Sequence, residues 1–337
     1  MGNRVATASP VNAEGISCVL RDQGDQRVVG CLHSQKGGKV VNQDSAVIYQ
    51  SYGATDGVLC GVFDGHGKNG HLVSRFVKER LPLLLLEEKN AVGDAGILTD
   101  ESSLESQATS DDDLSSDRTL HDWELPCTNA FEKMDEEIKD AKFDCSFSGT
   151  TAVVVLKQGN ELVIANLGDS RAILGTIHEN EVIPVQLTTD LKPGTPDEAI
   201  RIQRSNGRVF ALKEEPDMKR AWLPSVYSPG MAMSRAFGDL VMKNYGIIST
   251  PVVTHHNISS DDLFIVVATD GIWDVLSNED VTAVVMAAET EEMAAKAVVD
   301  AAAAAWKTNF PRDKSDDCTA ICFFLQNNNP SQAPASS

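Results

Sequence analysis

The sequence predicts an α+β fold, layered α-β-β-α as a four-layer sandwich, and three observations carry that expectation. Short apolar runs follow one another through tight turns, and the helical stretches come separately rather than in strict alternation with strands. The 337-residue chain, 42% hydrophobic, has ample apolar material for a large core. In chain order, residues 58–63 read as a buried strand. Residues 151–156, 162–165 and 171–174 follow, the first two joined by Gln158-Gly159-Asn160, a hairpin signal. The β-branched and aromatic runs 263–268 and 320–325 complete the set. Helices are expected over 70–81, where Pro82 interrupts, and over 127–142, 196–205 and 289–306. Thr195 offers an N-cap, with Pro196 at the first helical position.

These elements fall within one domain over residues 15–326. Residues 1–14 are small and polar, a loose arm, and 327–337 have the composition of a disordered tail. An acidic, Ser- and Gly-containing stretch over about 88–116, with Asp111, Asp112 and Asp113 in a row, reads as a solvated surface insertion.

Twenty-nine basic residues against forty-nine acidic ones leave a net charge of -20, which argues against nucleic acid or a bare anionic membrane as a partner. The seven cysteines are scattered and form no C-x-x-C pair, so free thiols in a reducing, intracellular compartment, cytoplasmic or nuclear, are expected. No apolar run approaches the ~20 residues of a spanning helix. Met1-Gly2 begins a myristoylation pattern, but that pattern wants Ser or Thr where the chain has Ala6, and one acyl chain would anchor weakly. Nothing in the sequence demands more than a monomer.

The chemistry gathers at strand ends. Asp64, in Phe63-Asp64-Gly65-His66-Gly67, and Asp270, in Ala268-Thr269-Asp270-Gly271-Ile272-Trp273-Asp274, each end an apolar strand. Asp316-Asp317 stands just before another, Asp169 falls between two, and Asp44 precedes a short apolar run. Taken singly, each is a favoured turn residue. Together at the rim of one sheet they would repel one another unless cations sat among them. Hard oxygen ligands without cysteine point to Mg²⁺ or Mn²⁺. The glycine after Asp64 would let a backbone carbonyl approach a metal closely. Two such ions can lower the pKa of a shared water and orient it for in-line attack on phosphorus. His66, with an unperturbed pKa near ~6.5, is placed to protonate a leaving alkoxide.

At these residues the sequence resembles the protein phosphatase 2C family, in its plant members. The matching segments run in family order from about residue 30 to 325. They are Val62-Phe63-Asp64-Gly65-His66-Gly67, Ser148-Gly149-Thr150-Thr151-Ala152, Asn166-Leu167-Gly168-Asp169-Ser170-Arg171, Ser234-Arg235-Ala236-Phe237-Gly238-Asp239, Ala268-Thr269-Asp270-Gly271-Ile272-Trp273-Asp274 and Asp316-Asp317. The resemblance implies a central β-sandwich flanked by helix pairs, with metals in a cleft at one end and phosphorylated proteins as substrates. It implies that Asp64, Asp270 and Asp316 hold one Mg²⁺ or Mn²⁺, that Asp64 and the Gly65 carbonyl hold a second, and that Asp169 and Asp274 serve a weaker third. It also implies a flap over about 193–229 where partner and substrate choice reside.

Two positions depart from many relatives. Gln43 stands where Glu is common, so the second ion would rest more on Asp64, Asp44 and water. Lys39 stands where Arg is common and would meet the substrate phosphate as a point charge rather than a fork. These departures motivate the alternative, an impaired phosphatase-like scaffold that binds a kinase or receptor. A dinuclear hydrolase of small phosphate esters is a third reading.

Overall fold

The computed structural model describes residues 4–8, 16–21, 28–97, 114–310 and 315–325. Two six-stranded antiparallel sheets face each other. The first is ordered β1 (Arg4–Ala8), β4 (Ser45–Gln50), β5 (Val58–Phe63), β8 (Ala152–Gln158), β9 (Glu161–Leu167) and β16 (Val252–Asn257). The second is ordered β11 (Glu181–Gln186), β10 (Arg171–His178), β17 (Asp262–Ala268), β18 (Cys318–Phe324), β3 (Val28–Gln35) and β2 (Ile16–Arg21).

Why the central strands are apolar throughout follows from the period-2 alternation of side chains. On β5, Val58, Cys60 and Val62 point between the sheets, where they meet Ile265, Val267, Ile321 and Phe323. Leu59 and Phe63 point outward under α1 (Gly70–Ile97) and α2 (Leu114–Lys139). The second sheet repeats the arrangement. Phe264, Val266 and Cys322 face outward beneath α6 (Asn278–Ala287) and α7 (Ala294–Asn309). The result is the expected α-β-β-α layering, with three apolar cores between four layers.

A three-stranded ribbon closes one end of the sandwich: β6 (Gly65–His66), β7 (Gly149–Thr150) and β15 (Phe237–Gly238). Beside it lies a flap built from α3 (Pro196–Arg204) and the sheet of β12 (Arg208–Ala211), β13 (Lys219–Trp222) and β14 (Pro229–Met231). The flap shares a small core of Ile202, Ala221, Met231 and Met242 with α4 (Leu240–Lys243). Trp222 stacks on Phe210, and Tyr227 meets both edge-on.

Several expectations change. Pro82 does not end the first helix, which runs on to Ile97. A proline inside a helix costs about 3 kcal/mol, but Leu84 and Leu85 beyond it are fully buried, and each buried leucine contributes about 1.5–3 kcal/mol. The Tyr52 hydroxyl also donates to the Pro82 carbonyl at 2.5 Å. The second helix begins at Leu114, well before residue 127, and carries Pro126 within it. Residues 88–97 and 114–116 are therefore helical rather than surface loop. The triplet Asp111, Asp112, Asp113 and the tail 327–337 lie outside the described residues. Arg4–Ala8, expected in a loose arm, pair with β4 as an edge strand. Thr195 precedes α3 in extended conformation, but its side chain makes no capping bond. His255 and His256 sit half-buried on β16, with His256 bonded to Asp262.

The path of α1 through Pro82 is testable at two adjacent leucines. Leu84 is 1% exposed and Leu83 is 51% exposed. Leu84→Ala is expected to cost about 2–5 kcal/mol in urea unfolding, and Leu83→Ala to stay within about 0.5 kcal/mol. Equal effects would contradict the helix continuing on this face.

Candidate active site

The registers of the two sheets bring distant acids to one end of the sandwich. Ser45 opposes Phe63 and Ala152 opposes Leu167 in the first sheet, while Arg171 and Ala320 both oppose Ala268 in the second. The beginning of β4, the ends of β5 and β9, the end of β17 and the beginnings of β10 and β18 thus coincide. Asp44, Asp64, Asp169, Asp270 and Asp316 are the residues at those ends. Asp270 opens α5 (Asp270–Trp273), and Asp274 caps its C-terminus, exposed on the rim. The carboxylates of Asp44, Asp64, Asp169, Asp270, Asp274 and Asp316 thus lie at the same end of the sandwich.

Their electrostatics follow from crowding. Burial, then the charges of Asp270, Asp44 and Asp316, push Asp64 well above the usual carboxylate range against the pull of Lys39. Burial and the charges of Asp169, Asp316 and Asp274 do the same to Asp270, and the Asp64 and Asp270 carboxyls share a hydrogen bond. Asp44 is pushed up to about 7 by burial and by Asp317, and Asp169 to about 6 by burial against the pull of Lys192. Asp44 accepts from the Thr269 hydroxyl at 2.8 Å through Oδ2, whereas its Oδ1 and the Asp169 Oδ1 are buried with no hydrogen-bond partner.

Among the described residues no three His, Cys, Asp or Glu side chains close around one point as a ligand set. The acids instead find local partners: Asp64 with Asp270, Asp44 with Thr269, and Asp316 with Lys39 Nζ at 2.6 Å. The donor set nonetheless fits hard divalent cations, because it is all oxygen and includes two orphaned buried carboxylate atoms.

Asp317, next to Asp316, has a different task. It accepts the backbone N–H groups of Gly37 at 2.8 Å and Gln43 at 2.9 Å, which pins the loop that carries Lys39. Gln43 donates through Nε2 to the Gly67 carbonyl at 2.7 Å, and its own carbonyl accepts from Gly65 N–H at 3.2 Å. It clamps the turn after Asp64. That turn tolerates only glycine at position 65, where a Cβ would lie 2.4 Å from the Gln43 oxygen and 2.5 Å from that of Gly70.

His66 is held across the ribbon. Its Nε2 contacts Asp239 Oδ2 at 2.5 Å, and its Nδ1 has no partner among the described residues. Burial would lower its pKa, but Asp239 and Asp169 hold it above the ordinary imidazole value. Asp239 lies inside a recognised segment, yet the sequence carries no signal of this contact, which spans 173 residues. Also missed were Thr269 and the field of Lys192 on Asp169 and Asp274.

Asp44 supplies a pH test. Its folded pKa lies above the ordinary value of 3.8, so it favours the folded state while protonated, and that contribution is lost as pH rises from about 4 through about 7. In chelator, wild-type stability is expected to fall over that window relative to Asp44→Asn in urea unfolding. Parallel curves would contradict the burial of this charge.

Comparison with known proteins agrees with this architecture. The family model described as Protein phosphatase 2C matches residues 30–309. The chain is 50% identical over 301 residues to "Probable protein phosphatase 2C 72" of Arabidopsis thaliana, covering 89% of this chain and 86% of that protein. It is 45% identical over 332 residues to "Probable protein phosphatase 2C 12" of Oryza sativa subsp. japonica, covering 93% and 85%. Among solved structures, the serine-threonine phosphatase 2C from Toxoplasma gondii matches with a TM-score of 0.74 at 21% identity, over 96% of this chain and 99% of that one, a likeness of fold. With its acids at one end of a helix-flanked β-sandwich, the chain belongs to the protein phosphatase 2C family of metal-dependent protein serine/threonine phosphatases.

Proposed function

We propose that this phosphatase hydrolyses phosphoserine and phosphothreonine with two divalent cations, Mg²⁺ or Mn²⁺. Asp64, Asp270 and Asp316 would hold one; Asp64, the Gly65 carbonyl and Asp44 with water would hold the other. Asp169 and Asp274 would serve a weaker third. The observation that carries this reading is the crowding of buried carboxylates at one end of the sandwich, which drives Asp64 and Asp270 far from their ordinary titration. When bound, the cations supply the charge that makes water nucleophilic near neutral pH and polarises the phosphoryl group.

The chain's own residues orient the substrate and handle the proton. Lys39 exchanges Asp316 for the substrate phosphate, which it meets as a point charge. His66 keeps Nε2 on Asp239, leaving Nδ1 as the atom that can deliver a proton. A seryl or threonyl alkoxide is a strong base, so protonating it as it departs removes much of the cost of bond cleavage. Phosphorylated proteins are the substrates. The seven free thiols suit a reducing compartment. Among the described residues no helix is long and apolar enough to cross a membrane.

Phosphate release from a phosphothreonine peptide tests the reading. Turnover is expected with Mg²⁺ or Mn²⁺, lost in chelator, and lowered by at least ~10²-fold in Asp270→Asn. No turnover from folded protein at any metal concentration would favour the scaffold that binds a kinase or receptor. His66→Gln is expected to lower kcat on the peptide by about 10²–10⁴-fold. It should lower kcat far less on an aryl phosphate, whose leaving group departs without a proton. Equal losses on both substrates would rule out the proton-donor role.

A further inference from the structure

Near the carboxylates, the flap borders an open pocket of about 570 Å³, a volume suited to a side chain or small ligand. One wall is the segment 190–196 leading into α3, and the other is the turn entering β13. Lys192 and Lys219 line it, together with Pro196 and Met218. Neither lysine's ammonium group makes a hydrogen bond or ion pair among the described residues. The stem of Lys219 lies along Gly194, with Cδ 3.3 Å from where a Cβ would be. Of the two acids in the lining, Asp190 is engaged by Arg171 in a two-pronged pair at 2.7 and 3.0 Å, which leaves exposed Asp217 alone against two ammonium groups. The lining thus gathers two ammonium groups with one unpaired carboxylate, in a chain of net charge -20.

The cavity is tied to the cleft by covalent and hydrogen-bonded neighbours. Leu191 N–H donates to the Gly168 carbonyl at 2.9 Å, just before Asp169, and the Leu191 carbonyl accepts from Ser234 N–H at 2.8 Å. Arg171, two residues past Asp169, holds Asp190. The α3 wall is anchored too, because Glu198 takes Arg201, Arg235 and the Ser234 hydroxyl together. Lys192 lies within electrostatic reach of Asp169 and Asp274. A peptide presenting its phosphoresidue to the carboxylates would bring its flanking residues towards Lys192, whose charge acts on Asp169 and Asp274.

We propose that this cavity is a specificity subsite for an anionic side chain flanking the scissile phosphoresidue, recognised by Lys192 and Lys219. The proposal rests on the phosphatase reading and names part of its substrate class. Carboxylate and phosphoryl groups share the required chemistry, and the test separates them.

Three labelled peptides would carry a hydrolysis-resistant phosphonate in place of the central phosphothreonine. Their flanking positions would be Gln, Glu or a second phosphonate, and binding to the Mn²⁺-loaded full chain would be read by fluorescence anisotropy. The Glu peptide is expected to bind about fivefold tighter than the Gln peptide at low ionic strength, with the gap closing as salt is added. A larger gain for the second phosphonate would name a phosphoryl group as the better occupant. Lys219→Gln is expected to shrink the Glu-over-Gln preference to within about twofold, and Lys219→Glu to reverse it. Equal or undetectable affinity for all three peptides, or an undiminished preference in both variants, would overturn the subsite. Turnover of the hydrolysable Gln-flanked peptide is measured in parallel, and its loss bears on the phosphatase reading alone.

Discussion

Like charges held close in a buried place dominate this molecule. Asp64, Asp270, Asp44, Asp169 and Asp316 converge where two antiparallel sheets end, with Asp44, Asp64 and Asp169 buried and Asp270 and Asp316 half-buried, so little water screens them. At close range in a poorly solvated cleft such repulsion reaches several kcal/mol, more than a surface ion pair contributes. The apolar layers above and below must therefore hold the acids in place against their own field. The long α1, carried through Pro82 by its buried leucines, is part of that restraint.

Around the cleft the backbone is packed as tightly as the side chains. Gly149 is the clearest case: a Cβ there would stand 2.2 Å from Asp239 Oδ2 and 2.9 Å from His66 Nε2. The ribbon of β6, β7 and β15 can close only over a glycine, and its closure brings Asp239 to His66. One local constraint thus links the histidine's orientation to the fold. The flap is suspended from the same region by Leu191, Asp190 and Glu198, so it shares a frame with the carboxylates.

Much of this was legible in the sequence because the acids stand at the ends of apolar runs, and run ends in an antiparallel sandwich collect at its edges. β5 matches its expected bounds, and the hairpin of β8 and β9 turns at Gly159 and Asn160 as its dipeptide suggests. What local pattern could not carry was of two kinds. Of the edge strands, β11 is mostly exposed and β16 half-buried, so their alternation is blurred by polar residues. Long-range polar contacts, such as His66 with Asp239 or Thr269 with Asp44, leave no periodic trace. The helix through Pro82 was misjudged for a third reason, since tertiary burial outweighed a local penalty.

Direct measurement of cation binding tests the central claim most closely. Titration of Mn²⁺ into metal-stripped protein, followed by calorimetry and by loss of the free-ion electron paramagnetic resonance signal, reports stoichiometry without reference to turnover. Two saturable sites are expected in the wild type, with both weakened in Asp64→Asn, the carboxylate proposed to serve both ions. A wild type that binds no Mn²⁺ saturably, or an Asp64→Asn variant that binds as the wild type does, would contradict the claim.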